Sequence, residues 1–137
     1  MNYIVVDASL WVARLVPQEV FHQSVRAWME ARRLEETEFL APAQLLAEVA
    51  GAISRRTGDA GLAAQAVEQM EHLPGLRLVE MDQAVIESAA QMAASLGMRG
   101  GDAIYAAVAH WLNLSLATLD SDQKERASKM IKVETLW

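Results

Sequence analysis

Four carboxylates in this chain stand in settings suited to metal or hydrolytic chemistry. Asp7 closes the apolar run Tyr3-Ile-Val-Val, Glu48 lies inside Leu-Leu-Ala-Glu-Val, Asp102 follows Gly100-Gly101, and Asp120 follows Thr118-Leu, with Asp122 two residues on. Glu48 shares a helical stripe with Leu45, Val49 and Ala52, so a helix that buries those residues carries a carboxylate toward the core. A carboxylate buried without a partner costs several kcal/mol, so such a group is paired, protonated or bound to a metal. A glutamate at the stripe's edge, reaching water or pairing with Arg55 or Arg56, fits the same pattern. Asp7, Asp102 and Asp120 each also read as a helix N-cap, and Asp120-Ser-Asp-Gln123 matches reciprocal capping. Taken singly, each aspartate is explained by capping. Taken together, three caps at or beside strand ends on one expected sheet edge, joined by Glu48, form a cluster that repels itself unless a cation holds it. Oxygen-only ligands select hard ions such as Mg²⁺ or Mn²⁺.

The elements that must position these acids follow from periodicity. Tyr3 to Val6 reads as a strand buried on both faces, and Ala8 onward as a helix with Leu10, Trp11, Leu15 and Val16 inward. A second helix carries Phe21, Val25, Trp28 and Met29 and ends near Arg33; Phe39 to Ala41 is a short strand stopped by Pro42. Leu45 to about Arg56 is a third helix with Gly58 as its stop, and a fourth runs from Asp59 to His72 with Leu62, Ala66, Val67 and Met70 inward. Pro74-Gly75 is a turn before a strand from Leu76 to Met81. Asp82 caps a fifth helix, with Val85, Ile86, Ala89, Met92 and Ala93 inward, that Gly97 closes; Asp102 to Leu112 is an alanine-rich sixth. Leu116 to Thr118 is a strand, Asp120 to Met130 a last helix, and Lys132 to Thr135 a candidate edge strand. Alternation of this kind predicts an α/β fold with a central parallel sheet of four to five short strands covered by helices on both faces. In such sheets ligands bind at the carboxyl ends of the strands, where Asp7 lies.

Composition bounds the function classes. A chain of 137 residues with 53% hydrophobic and 22% charged residues suits one globular domain, 1–137. Without cysteine there is no disulfide, thiolate metal site or cysteine nucleophile, and a cytoplasmic location is the expectation. No run approaches the ~20 apolar residues of a membrane span. The net charge of −6 argues against charge-driven nucleic-acid binding, unless a cation neutralises the acidic pocket. His22, His72 and His110 have no zinc-motif spacing and read as structural or surface residues, His110 packing within its helix. Trp11, Trp28 and Trp111 fall on apolar faces and read as core. Among Arg14, Arg26, Arg32, Arg33, Arg55, Arg56 and Arg99, the last is the best candidate to touch a substrate, because it shortly precedes Asp102.

Strand then Asp7-Ala-Ser9, Glu48 in Leu-Leu-Ala-Glu-Val, Asp102 in Gly-Gly-Asp-Ala-Ile-Tyr-Ala and Thr118-Leu-Asp120-Ser-Asp122 have the order and spacing of a PIN domain. Over essentially its whole length the chain resembles the VapC-like toxins of toxin-antitoxin pairs. The resemblance implies a divalent-metal-dependent endoribonuclease in which Asp7, Glu48, Asp102 and Asp120 surround one or two Mg²⁺ or Mn²⁺ ions, with Asp122 as an extra ligand. Ser9 and Thr118 match the hydroxyl residues that orient the acids, and Tyr105 departs from the histidine that relatives often carry. A metal-activated water then serves as nucleophile, so no histidine or serine nucleophile is needed. The resemblance further implies an RNA substrate, a homodimer and a small antitoxin that occludes the site.

Two other classes compete. A phosphoacceptor receiver domain also has an acidic Mg²⁺ pocket near its first strand, but it calls for paired acids there, and here Asp7 stands alone. A catalytically silent PIN-like binding module would not need the full set of acids. No glycine fingerprint follows the first strand, which argues against dinucleotide binding.

Overall fold

The computed structural model describes residues 2–137. Eleven elements alternate along the chain: β1 (Asn2–Val6), α1 (Ala8–Leu15), α2 (His22–Leu34), β2 (Thr37–Pro42), α3 (Leu45–Thr57), α4 (Ala60–Glu71), β3 (Leu76–Val79), α5 (Gln83–Leu96), α6 (Gly100–Leu112), β4 (Ser115–Ala117) and α7 (Ser121–Ala127). The four strands form one parallel sheet in the order β3-β2-β1-β4. Register pairs Ile4 with Phe39 and with Ser115, and Phe39 with Leu76. Successive strand residues face opposite ways, so the complete burial of both Val5 and Val6 means that both faces of the central strand are covered.

α6 packs across β1, β2 and β4, with α5 laid on it. Ala103, Ala106, Ala107 and Ala109 are all fully buried, and their small side chains allow the close approach that places the start of α6 beside the ends of β1 and β4. α1 packs against α2 and α3, and α3 against α4. Leu10, Trp11, Leu45, Val49, Ile53 and Leu116 are inaccessible, so truncating Leu10 or Ile53 to alanine removes roughly 2–5 kcal/mol. Gly58 and Gly97 end α3 and α5 in the left-handed region, at φ 70° and 67°, where a Cβ is disfavoured.

Several local expectations change. The segment Lys132 to Thr135 makes an isolated parallel bridge, Leu116 with Val133, rather than a strand. α7 stops at Ala127, short of Met130. α6 begins at Gly100 with Arg99 as its N-cap, so Asp102 lies in the first turn and is not the cap. Trp111 is 55% exposed, contrary to its reading as core, and His110 is exposed too, because the last turn of α6 runs past its packing partners after Ala109. Trp11 and Trp28 are buried as expected, while Leu62 and Ile86 are exposed. No described helix is long and apolar enough to cross a membrane.

Candidate active site

The carboxyl ends of β1 and β4 lie side by side, and the Asp7 amide donates to the Ala117 carbonyl at 3.1 Å. Here the chain leaves β1 in extended conformation and turns into α1, which makes Asp7 the N-cap. Its Oδ1 accepts from the Ser9 amide at 3.0 Å and from Ser9 Oγ at 2.5 Å, while its Oδ2 lies 2.6 Å from Thr118 Oγ1. Ser9 Oγ in turn accepts from the Leu119 amide at 2.9 Å, and Thr118 Oγ1 accepts from the Asp120 amide at 3.0 Å. Two hydroxyls thus hold the Asp7 carboxylate and pin the loop after β4 to it. Asp7 is 5% exposed, and burial pushes its pKa up to about 6 against the opposing hydrogen bonds of Ser9 and Thr118, with the charge of Asp102 adding to the rise.

Thr118 has one hydroxyl proton and two acceptors within reach, Asp7 Oδ2 and Gln123 Oε1, the latter at 3.0 Å. When Asp7 is ionised the proton goes to Asp7; when Asp7 is protonated, Asp7 donates to Thr118 and Thr118 to Gln123. Gln123 is fully buried on α7, and its Nε2 reaches toward the Asp102 carbonyl at 3.4 Å. Gln123 was not among the sequence-derived candidates beyond its capping pattern. Its side chain does not return to the Asp120 amide; Thr118 takes that donor instead.

Glu48 projects from the first turn of α3 and is half-buried. Its Oε1 accepts from Tyr105 Oη at 2.8 Å and from Gln44 Nε2 at 3.0 Å. Burial, then the charge and hydrogen bond of Glu48, raise the Tyr105 pKa, so the phenol stays neutral and donates. The other oxygen, Oε2, lies 3.9 Å from where a Cβ on Gly101 would stand, beside Asp102. Glu48 thus pairs with neither Arg55 nor Arg56, and Arg56 instead pairs with Glu19.

Asp102 and Asp120 share one cation. Arg99 Nε donates to Asp102 Oδ2 at 3.1 Å and Nη2 to Asp120 Oδ2 at 2.8 Å. Burial raises the Asp102 pKa, Arg99 opposes the rise, and Asp120 and Asp122 add to it. The two carboxylates raise the pKa of Arg99, Asp102 most. Asp120 caps α7 through Oδ1, which accepts from the Asp122 and Gln123 amides, and keeps Oδ2 for Arg99, so capping and site membership coexist in one side chain. Asp122 is turned to Arg126 Nε at 2.9 Å and is largely exposed.

Beside the acids a cavity is lined by Ser9, Ala13, Val20, Phe21, Arg56, Leu119 and Asp120, and Phe21 packs on Trp137. Arg14, Arg26 and Arg33 line a separate cavity with Trp11 and Phe39. His22 Nδ1 donates to the Ala13 carbonyl within the core, and His72 Nδ1 donates to the Glu68 carbonyl of its own helix, which leaves both structural.

Among the described residues, no group of three or more histidine, aspartate or glutamate side chains is placed so as to hold a metal ion. The donor chemistry nevertheless fits a hard divalent ion: the acids are all oxygen donors, the charge of Asp102 raises the pKa of Asp7, those of Asp120 and Asp122 raise the pKa of Asp102, and a guanidinium stands as the cation between Asp102 and Asp120.

Solved structures with the same fold span nearly the whole chain. VapC20 of Mycobacterium tuberculosis, described as a sarcin-ricin loop cleaving toxin, is 19% identical with TM-score 0.79 over 96% of this chain and 99% of that one. FitAcB from Neisseria gonorrhoeae is 24% identical with TM-score 0.71 over 98% of each chain. VapBC2 from Rickettsia felis, bound to a DNA fragment from its promoter, is 12% identical with TM-score 0.73 over 96% and 97%. No curated protein sequence matches significantly. The family model of the PIN domain matches residues 4–129, from β1 through the site to just past α7, and the chain belongs to the PIN domain family.

Proposed function

We propose that this PIN domain is a divalent-metal-dependent endoribonuclease that hydrolyses RNA phosphodiester bonds, and that it is the toxin of a VapBC-type pair. One observation carries the reading: Asp102 acts on Asp7 at the end of β1, a guanidinium spans Asp102 and Asp120, and Tyr105, bonded to Glu48 of α3, feels the charges of Asp7 and Asp102 as well. Asp7, Glu48, Asp102 and Asp120 would hold a Mg²⁺ or Mn²⁺ ion, and Asp122, exposed and turned to Arg126, stays outside that set in this reading. Once bound, the ion supplies Lewis acidity toward the phosphodiester and lowers the pKa of water at the site. Ser9 and Thr118 orient Asp7, and Tyr105 with Gln44 orients Glu48, so that neither carboxylate rotates freely. Phe21, packed on Trp137, lines the adjoining cavity and offers an RNA base an aromatic face.

Likeness to VapC20, described as a sarcin-ricin loop cleaving toxin, and to VapBC2 supports an RNA substrate and a cognate antitoxin. A homodimer in the cytoplasm completes the proposal. A second reading, a catalytically silent binding module, has one observation in its favour: among the described residues no three acids are grouped closely enough to hold an ion.

Incubation of a mixed tRNA and rRNA pool with Mn²⁺, with EDTA, and with the Asp102→Asn protein purified identically separates the two. The nuclease reading expects cutting that needs metal and is lost in the variant. Equal inertness of both proteins in Mn²⁺ supports the binding module, and equal cutting by both removes the acids from the reaction.

A further inference from the structure

Arg99 occupies an unusual place for a surface arginine. It is the N-cap of α6, in extended conformation, and makes no side-chain capping bond, so its side chain is free to reach sideways. The reach ends on two carboxylates from different elements: Asp102 on α6 and Asp120 at the start of α7. Those are the oxygens that the proposed function assigns to a divalent ion. A guanidinium remains charged at any pH the protein experiences, so it vacates the carboxylates by moving, not by losing a proton. Nothing in the packing prevents that movement. The side chain is 73% exposed, and its backbone is anchored by the helix start, so its departure leaves the fold intact.

A divalent ion arriving at Asp102 and Asp120 therefore competes with a tethered monovalent cation. When displaced, Arg99 remains on the rim with its planar fork unsatisfied. A phosphodiester offers that fork the geometry it has just lost, since guanidinium binds phosphate and carboxylate oxygens alike. Each binding event then removes an obstacle to the other. The phosphate draws Arg99 off the acids, and the ion sets Arg99 free for the phosphate.

Resting on the ion-dependent reading above, we propose that Arg99 is a built-in competitor for the divalent ion that passes from Asp102 and Asp120 to a phosphodiester of the RNA, coupling ion uptake to substrate uptake. By reciprocity the ion strengthens RNA binding by the same factor that RNA strengthens ion binding. Arg126 provides the natural control. It is a second arginine at the same end of the molecule, but it bonds Asp122 and the Leu96 carbonyl and touches neither Asp102 nor Asp120.

Calorimetric titration of Mn²⁺ into the wild type, Arg99→Met, Arg99→Lys and Arg126→Gln, each checked for an unchanged melting temperature in EDTA, reads the competition without any turnover. Arg99→Met should bind Mn²⁺ about tenfold more tightly than wild type, Arg99→Lys should fall between, and Arg126→Gln should match wild type. A short DNA strand, uncut on a gel during the titration, should tighten Mn²⁺ binding several-fold in the wild type and not in Arg99→Met. Equal affinity in wild type and Arg99→Met, or an equal gain in Arg126→Gln, would overturn the competition while leaving the ion site standing. A tighter Arg99→Met with the strand's effect unchanged would overturn the transfer to phosphate. No Mn²⁺ binding by any of the four proteins would remove the ion-dependent reading and this inference with it.

Discussion

The two halves of the acidic site are built by opposite means. Around Asp7 the carboxylate is buried, gripped by Ser9 and Thr118, and its charge is disfavoured. Around Asp102 and Asp120 the carboxylates are partly exposed and their charge is answered by an exposed guanidinium. The first half resembles an anchor: hydroxyls over-determine its position, and ionisation is the variable. The second is adjustable, because its partner can leave without disturbing the core. A site of this kind fixes one ligand in advance and lets the others be recruited.

The largest effect that separates the halves is the pH dependence of stability. Burial pushes Asp7 up to about 6 in the folded chain from its ordinary value of 3.8, so between these values the folded state keeps a proton that the unfolded chain releases. The stabilisation from protonated Asp7 is complete below about pH 4 and is lost as pH rises through about 6. Two units correspond to about 3 kcal/mol. Chemical denaturation in EDTA should show this decline in the wild type and a flattened profile in Asp7→Asn, which should be the more stable protein at pH 7. A wild-type profile that stays level from pH 4 to 7 would mean that the carboxylate is not desolvated as described.

A smaller effect tests Glu48. Tyr105→Phe removes its phenolic donor from a half-buried carboxylate, leaving Gln44 alone on Oε1. The expected cost is about 1–2 kcal/mol in the metal-free protein, measured by urea unfolding. Unchanged stability would show that water replaces the phenol and that Glu48 is not positioned by it. Smallest of all, Asp122→Asn breaks an exposed pair with Arg126 and should shift stability by less than about 0.5 kcal/mol and cleavage by less than about twofold. A much larger loss of cleavage would bring Asp122 back among the ion ligands.

Local patterns in the sequence located most elements because each depends on neighbours a few residues away. Asp7 ends a β-branched strand, Asp82 caps α5, and Gly58 and Gly97 stop their helices, all legible from short windows. Asp102 escaped because two glycines look like a helix entrance, while the extended backbone that begins α6 belongs to Arg99. Trp111 escaped because periodicity gives the direction of a side chain and not whether anything lies opposite it. Tyr105 on Glu48 and Arg99 on Asp120 are pairings across 57 and 21 residues, invisible to any local pattern. The acids themselves could be picked out, whereas the side chains that hold them appeared only once the chain was folded.

The central claim is that these carboxylates are held together for a divalent ion. Thermal melting of the wild type and of Glu48→Gln across a millimolar Mn²⁺ series tests it most directly, since an ion that binds only the folded site raises the melting temperature by mass action. The account predicts a rise of several degrees that grows with Mn²⁺ in the wild type and is largely lost in Glu48→Gln, whose metal-free stability is equal or higher. No shift in the wild type at millimolar Mn²⁺, or an identical shift in both proteins, would contradict it.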